Sequence, residues 1–342
     1  MNFTLRPHSL WLILMFTLLL LSFIAIKPPA GRCHPLKEAP TMPDSLETRL
    51  RAHVEMLAKE IGERNIWHAD QMDAAAKYIE TYWQEIGFTV HVDEYQATTE
   101  AKVKNLWVEV AGTGQSDQIV VVGAHYDSVL GCPGANDNSS GVAALLELSR
   151  LLRQAQPAKT FHFVAFANEE PPFFLSKKMG SRVHAIRARQ EQQHIVGMIS
   201  LETLAYYTSE PGSQKYPFPF GLIYPDTANF VGIVSNLGSR RLMKVLLDAF
   251  RRHSSFPAEG VAAPGWMTGI GWSDHWSFWR EGFQAVMITD TALFRYAQYH
   301  TEQDTPDKLN YPDFAHVVKG LREALADLAG VPAEKRQGKD PH

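Results

Sequence analysis

Two spacings of apolar residues alternate along this chain. From Asp44 to Asn65 apolar positions recur every three or four residues, with Glu47 three residues after Asp44 as a capping pair. The same period returns from Asp70 to Ile86, where Gly87 closes the segment. Both stretches predict amphipathic helices. Strand-like runs follow at 88–95, 104–111 and 118–124, and a helix begins near Ser140. Beyond it the pattern predicts strand 160–167, a helix over 180–191, strand 195–201, helix 239–252, strand 284–289 and a closing helix over 312–329. Strands alternating with helices predict an α/β fold: a central mixed, mostly parallel β-sheet flanked by helices on both faces. The uninterrupted β-branched run Ile119-Val120-Val121-Val122 is what a strand buried on both faces requires.

Ahead of this region the pattern changes. Leu10 to Ile26 is continuously apolar apart from one Thr and one Ser, and it follows Arg6. That pattern predicts export through residues 1–27, as a signal peptide or an uncleaved membrane anchor. Residues 28–43 hold five prolines and read as an extended tether. The folded part is expected over 44–330, followed by a polar tail, 331–342. The chain of 342 residues is 45% hydrophobic, enough for a sizeable core. Its net charge of −4 and its lack of a Lys/Arg-rich block argue against nucleic acid as a partner. Cys33 and Cys132 lack the spacing of a redox or thiolate metal site.

Candidate chemistry gathers where predicted strands end. His125 and Asp127 close the run over 118–124, and Asp137 follows in a turn rich in Gly, Asn and Ser (residues 134–141, GANDNSSG). Strand 160–167 runs into Asn168-Glu169-Glu170-Pro171-Pro172, strand 195–201 delivers Glu202, and His300-Thr301 follow the last strand, before Asp304. Open α/β sheets bind ligands along the carboxyl edge of their strands, so one crevice would collect these side chains. Imidazoles and carboxylates without thiolates suit zinc, cobalt or manganese.

The ordered set HYDS, ANDNSSG, a strand ending in NEE, an acid after the next strand and a late His-Thr-x-x-Asp resembles metallopeptidase family 28, the co-catalytic di-zinc aminopeptidases, over about residues 44–330. The resemblance implies a zinc-aminopeptidase-like fold with two zinc ions, or cobalt or manganese in their place. Asp137 would bridge them, His125 and Glu202 would complete one site, and Glu170 and His300 the other. Glu169 would be the general base and Asp127 the partner of His125. The implied activity is an exported exopeptidase, of aminopeptidase type, that cleaves peptide substrates with a metal-bridging hydroxide. It would work in the periplasm, in the medium, or held at a membrane with its catalytic domain outside the cytoplasm. A cis peptide after Asp137 is also implied.

Two departures stand out. Glu202 occupies a position where many relatives have Asp. The stretch GIGWSDHW lacks the tyrosine that relatives carry before Ser-Asp-His and use on the reacting carbonyl, so Tyr206, Tyr207 or a backbone group would have to serve. Asp274 and His275 match the family turn and are read as support for the site, set against simple helix capping by Ser273. The tryptophans at 266, 272, 276 and 279 are read mainly as core packing, with a share in an apolar pocket as the alternative. Two rival readings use the same fold: a single-zinc glutaminyl cyclase and a non-catalytic ectodomain.

Overall fold

The computed structural model describes residues 45–336. The apolar N-terminal segment, the tether and the end of the tail lie outside them, as does the cap expected at Asp44. Among the described residues no helix is long and apolar enough to cross a membrane. Ser45 caps the first helix, α1 (Leu46–Glu55), by accepting the Thr48 amide at 3.2 Å. A wider helical turn, Met56–Ile61, extends α1, and α2 spans Ala69–Glu85. Then come β1 (His91–Gln96), β2 (Lys102–Val110), β3 (Gln115–His125), α3 (Gly141–Leu152), β4 (Lys159–Phe166), α4 (Gly180–Gln190) and β5 (His194–Glu202). The last part holds β6 (Val231–Ser235), α5 (Arg240–His253), β7 (Ala258–Ala262), α6 (His275–Arg280), β8 (Ala285–Thr289) and α7 (Tyr311–Ala329).

All eight strands form one sheet in the order β1-β2-β4-β3-β5-β8-β6-β7. Pairings β4–β3, β3–β5 and β5–β8 are parallel, so four adjacent strands end on the same edge. Antiparallel pairings join β1 to β2, β2 to β4, and β6 to β8, while β6 and β7 run parallel. The sheet is therefore mixed with a parallel centre, as expected. The sequence reading misses β6, β7 and α6. Each of the two strands is five residues long with an internal glycine (VGIVS, AEGVA), which leaves no β-branched run to detect.

Burial of β3 on both faces explains its composition. Successive side chains point to opposite faces, so Val120 and Val122 join the core with Val142 and Leu146 of α3, while Val121 packs with Phe166 and Ala185 on the other side. Each fully buried aliphatic side chain here contributes roughly 1.5–3 kcal/mol. This two-sided packing fixes the height at which His125 leaves the sheet.

Candidate active site

Four loops at the shared carboxyl edge meet in one cluster, buried except for His300. His125 ends β3, Glu202 ends β5, Glu169 and Glu170 follow β4, and Asp137 enters from the turn ahead of α3. His300 comes from the loop after β8. Ligand-type atoms of His125, Asp137 and Glu202 lie within 4.8 Å of one another, as do those of Asp137, Glu170 and His300. Asp137 belongs to both groups. His125 Nε2 is 3.3 Å from Asp137 Oδ1 and 3.3 Å from Glu202 Oε2. His300 Nε2 is 3.0 Å from Asp137 Oδ2 and 3.5 Å from Glu170 Oε1. Glu169 stands beside both groups, with Oε2 at 4.0 Å from His125 Nε2.

The backbone that presents these groups is unusual and well anchored. Asn168, Thr203 and His300 all adopt left-handed φ values of 58°, 49° and 58°, a conformation costly for non-glycine residues and concentrated at functional sites. The Asp137-Asn138 peptide is cis, as the family resemblance implies. Asp304 fixes this turn by accepting the amides of Asn136 at 2.8 Å and Asp137 at 3.1 Å. The Asn138 side chain ties it to β5, donating to Leu201 O and accepting from the Thr203 amide. Gly141 is required at the start of α3, since a Cβ there would sit 2.3 Å from Asn138 Oδ1. Buried Arg64 gathers the carbonyls of Tyr126, Pro133 and Gly134 together with Ser139 Oγ. Asp127 clamps the opposite loop, its two oxygens each accepting at 3.0 Å from the amides of Glu169 and Glu170. Its carbonyl oxygen is 3.2 Å and its Oδ1 3.4 Å from His125 Nδ1, so it also orients that ring.

Electrostatics separate the members of the cluster. Burial drives the Glu169 carboxyl well above the usual carboxylate range, and the neighbouring Glu170 and Glu202 add to the rise. Burial, with the charge of Asp137, pushes Glu170 up to about 7. Burial also favours a neutral Asp137, but the adjacent His125 and His300 imidazoles outweigh it and hold that carboxyl below its ordinary range. Burial opposes a charged His300, yet the adjacent carboxylates of Asp137 and Glu170 raise it to about 10. His125 Nε2, Asp137 Oδ1 and Glu170 Oε1 are buried without a hydrogen-bond partner, and such orphaned atoms carry a cost that a coordinated cation removes. The donor set of nitrogen and carboxylate oxygen fits zinc.

The Ser-Asp-His turn has three separate fates. Ser273 does not cap α6 with its side chain; its hydroxyl donates to Glu202 Oε2 at 2.6 Å and holds that carboxylate in place. Asp274 is fully buried, and burial pushes it up to about 7. His275 lies outside both donor groups: its Nε2 bonds Ile270 O at 2.8 Å and its ring meets Trp279 edge-on. Tyr207 packs against Phe256 and takes its field from Asp290 and Arg295, while Tyr206 packs on Tyr296. The phenol at the cluster is Tyr299, which the sequence reading passed over. Its ring stacks on His300 with centroids 3.8 Å apart. The sequence signal was adjacency to a candidate ligand.

Beside Glu202 and Tyr299 opens a largely apolar pocket, lined among others by Phe230, Val234, Ile270, Trp272 and Phe294. Of the four tryptophans, Trp272 lines this cavity, Trp279 packs inward and donates to Ala285 O, and Trp266 is 84% exposed.

A parallel-centred sheet whose carboxyl edge carries a buried imidazole and carboxylate crevice defines the metallohydrolase class. Residues 105–325 match the model of peptidase family M28, and the chain belongs to that family. It is 36% identical over 319 residues to "Uncharacterized protein YfbL" of Escherichia coli (strain K12), an alignment covering 90% of this chain and 95% of that protein. It is 26% identical over 220 residues to "Probable leucine aminopeptidase 1" of Trichophyton verrucosum, covering 60% of this chain and spanning about half, 52%, of that relative. Among solved structures it resembles BSAP, a zinc aminopeptidase from Bacillus subtilis, with a TM-score of 0.66 and 15% identity over 88% of this chain and 98% of that one. At that identity the likeness establishes the fold.

Proposed function

We propose that this protein is an exported zinc aminopeptidase that removes N-terminal residues from peptides. The observation that carries this reading is the set of orphaned buried atoms on His125, Asp137 and Glu170, which lie in two donor groups sharing one carboxylate. His125, Asp137 and Glu202 would hold one ion and Asp137, Glu170 and His300 a second, with cobalt or manganese as workable substitutes. Bound ions would act as Lewis acids and lower the pKa of a shared water toward neutrality.

The chain's own residues supply the remaining chemistry. Glu169 faces the same crevice with no metal to bind, so its carboxylate takes the proton of the attacking water and hands it to the departing amine. Asp127 keeps Glu169 and Glu170 at fixed heights through their amides and sets the His125 ring, while Ser273 aims Glu202. The apolar cavity accepts the side chain of the first residue, which favours bulky apolar N-termini; the leucine aminopeptidases among the relatives fit that preference. Export rests on the apolar run after Arg6.

Elemental analysis of the purified protein and a panel of aminoacyl and N-blocked peptide substrates test this reading together. Two equivalents of zinc and cleavage of free but not blocked N-termini are expected. One tightly held zinc with cyclisation of N-terminal glutamine would replace it with the cyclase reading, and no turnover of any peptide with the carboxylates intact would replace it with the non-catalytic one. A reporter joined after residue 40 should leave the cytoplasm.

A further inference from the structure

Two loops beside the apolar pocket carry side chains that the fold leaves bare. Phe218, Leu222 and Ile223 are 85%, 78% and 74% exposed, and Trp266 of the neighbouring loop is 84% exposed. The loops adjoin, because Phe220 and Met267 pack on the same small cluster of Val234, Ile270 and Met287. Tyr216, Phe220 and Tyr224 of the first and Ile270 and Trp272 of the second line the pocket itself, so the bare tips stand beside its opening. Neither segment holds a charge: residues 216–225 lie between Lys215 and Asp226, and residues 260–273 between Glu259 and Asp274. Single exposed apolar groups are ordinary, but four on two adjoining charge-free loops mark an interaction surface.

The backbone of the first loop points to the chemistry of the partner. Pro217, Pro219 and Pro225 have no amide hydrogen to leave unpaired. The amides of Phe220, Leu222, Ile223 and Tyr224 donate to carbonyls of Pro217, Pro219 and Phe220 within the loop. The Tyr216 hydroxyl donates to Pro225 O at 2.6 Å, and the Tyr224 hydroxyl to Gly260 O of β7 at 2.8 Å. A loop that satisfies these groups internally loses little on leaving water, which is the condition that hydrocarbon imposes. Side chains this bare also protrude one by one; a protein partner must offer a socket for each, whereas lipid closes around any shape. The apolar run Leu10–Ile26 draws the chain to a bilayer during export, and residues 28–44 span at most roughly 55–60 Å, a reach longer than a domain of this size is wide. We propose that the lip formed by residues 217–223 and Trp266 docks on a phospholipid bilayer, its apolar tips entering the headgroup boundary, and so seats the opening of the pocket at the lipid surface. The substrates are then apolar peptides collected at that surface, a consequence that rests on the hydrolase reading above.

The test uses the zinc-loaded full chain with Cys33→Ser, reconstituted in vesicles of phosphatidylethanolamine and phosphatidylglycerol. Cys132 is buried, so an environment-sensitive fluorophore attached at Leu222→Cys reports the lip, and one at Lys319→Cys reports an exposed position on α7. Emission at 222 should shift to the blue and be quenched by nitroxides on the upper acyl chains, at the roughly 5–10 Å depth of interfacial apolar groups, while 319 shows neither change. Water-like emission at 222 would overturn the proposal, as would equal quenching at 319; shielding from water without lipid quenching would give the face to a second copy or another protein instead. Phe218→Ser, Leu222→Ser and Ile223→Ser combined should leave melting temperature, zinc content and turnover of a soluble dipeptide unchanged, and should slow hydrolysis of an apolar peptide bound to the vesicles roughly tenfold. An unchanged rate on the vesicle-bound peptide would overturn the substrate assignment. A lipid-quenched lip on a protein that cleaves neither substrate would sink the hydrolase reading and leave docking standing, whereas cleavage of both substrates with the lip in water would sink docking alone.

Discussion

Two buried carboxylate clusters, one on the middle of α3 and one ahead of its N-terminus, are built on opposite principles. Glu147, in the middle of that helix, is fully buried and completely partnered: Tyr82 donates at 2.6 Å, Arg150 at 2.9 Å, Arg49 at 3.1 Å, and His53 stands at 3.3 Å. Burial favours its neutral form, but the bonds from His53 and the two guanidiniums prevail and hold the carboxyl far below its usual range. Ahead of the N-terminal end, Glu169, Glu170 and Glu202 have no Arg or Lys in an ion pair with them among the described residues, and burial raises all three. A buried charge neutralised by its own protein holds structure together; one left without a protein cation is arranged for a guest.

Substitutions at the two clusters should therefore fail in different assays. Glu169→Gln keeps shape and ligands but removes the proton acceptor, so turnover should drop on the order of 10²–10⁴-fold with zinc content unchanged. Glu147→Ala should cost about 3–5 kcal/mol in urea unfolding, because it removes the buried acceptor that Tyr82, Arg49 and His53 share, while the folded fraction keeps its metal and its turnover. Stripping metal with a chelator should lower stability by about 4 kcal/mol relative to free zinc a thousandfold above its dissociation constant, and the Glu147 network should not sense it. Glu170→Gln should weaken zinc binding at least about tenfold, since an amide oxygen is a poorer ligand, and excess zinc should restore part of its activity. If Glu169→Gln lost metal while Glu170→Gln kept it and stayed inactive, the two assigned roles would be exchanged.

The smallest effect is in pH, and it runs in opposite directions at the two clusters. In metal-free protein Glu170 titrates near 7, above its unfolded value, so its contribution to stability is present below about pH 4.5 and disappears as pH rises through 7. His300, raised to about 10, adds to the same trend, being stabilising below about pH 6.5 and losing that effect toward pH 10. Glu147, held below its ordinary range, stabilises above about pH 4.5 and loses that effect on acidification. Melting curves with chelator present should show lower stability at pH 8 than at pH 5.5, and Glu170→Gln should flatten the difference.

Much of this was legible in the sequence because it depends on local signals. The β-branched run before His125 announces a buried strand, and the prolines after Glu170 announce that a strand has ended. Both place acids and imidazoles at one edge. What stayed hidden depends on contacts between distant segments. Ser273 looks like a helix cap until Glu202, seventy-one residues earlier, is found to accept from it. Asp304 reads as a loop residue, yet it receives two amides of the Asp137 turn. Tyr299 looks like any aromatic beside a histidine. The short strands β6 and β7 are strands only because β8 and α5 supply their partners.

The left-handed loop that carries His300, together with the Asp304 latch behind it, gives the site a chronology. Synthesis delivers His125, Asp137, Glu169, Glu170 and Glu202 first, and only about a hundred residues later the second imidazole and the carboxylate that secures the Asp137 turn. Domains assemble as units once enough of their chain has emerged. A fragment ending before residue 300 would own the acids without the closing histidine, so the crevice acquires its full complement of donors only once the loop after β8 has been made. The order of the sequence thus keeps a hydrolytic centre incomplete until its own fold is almost finished.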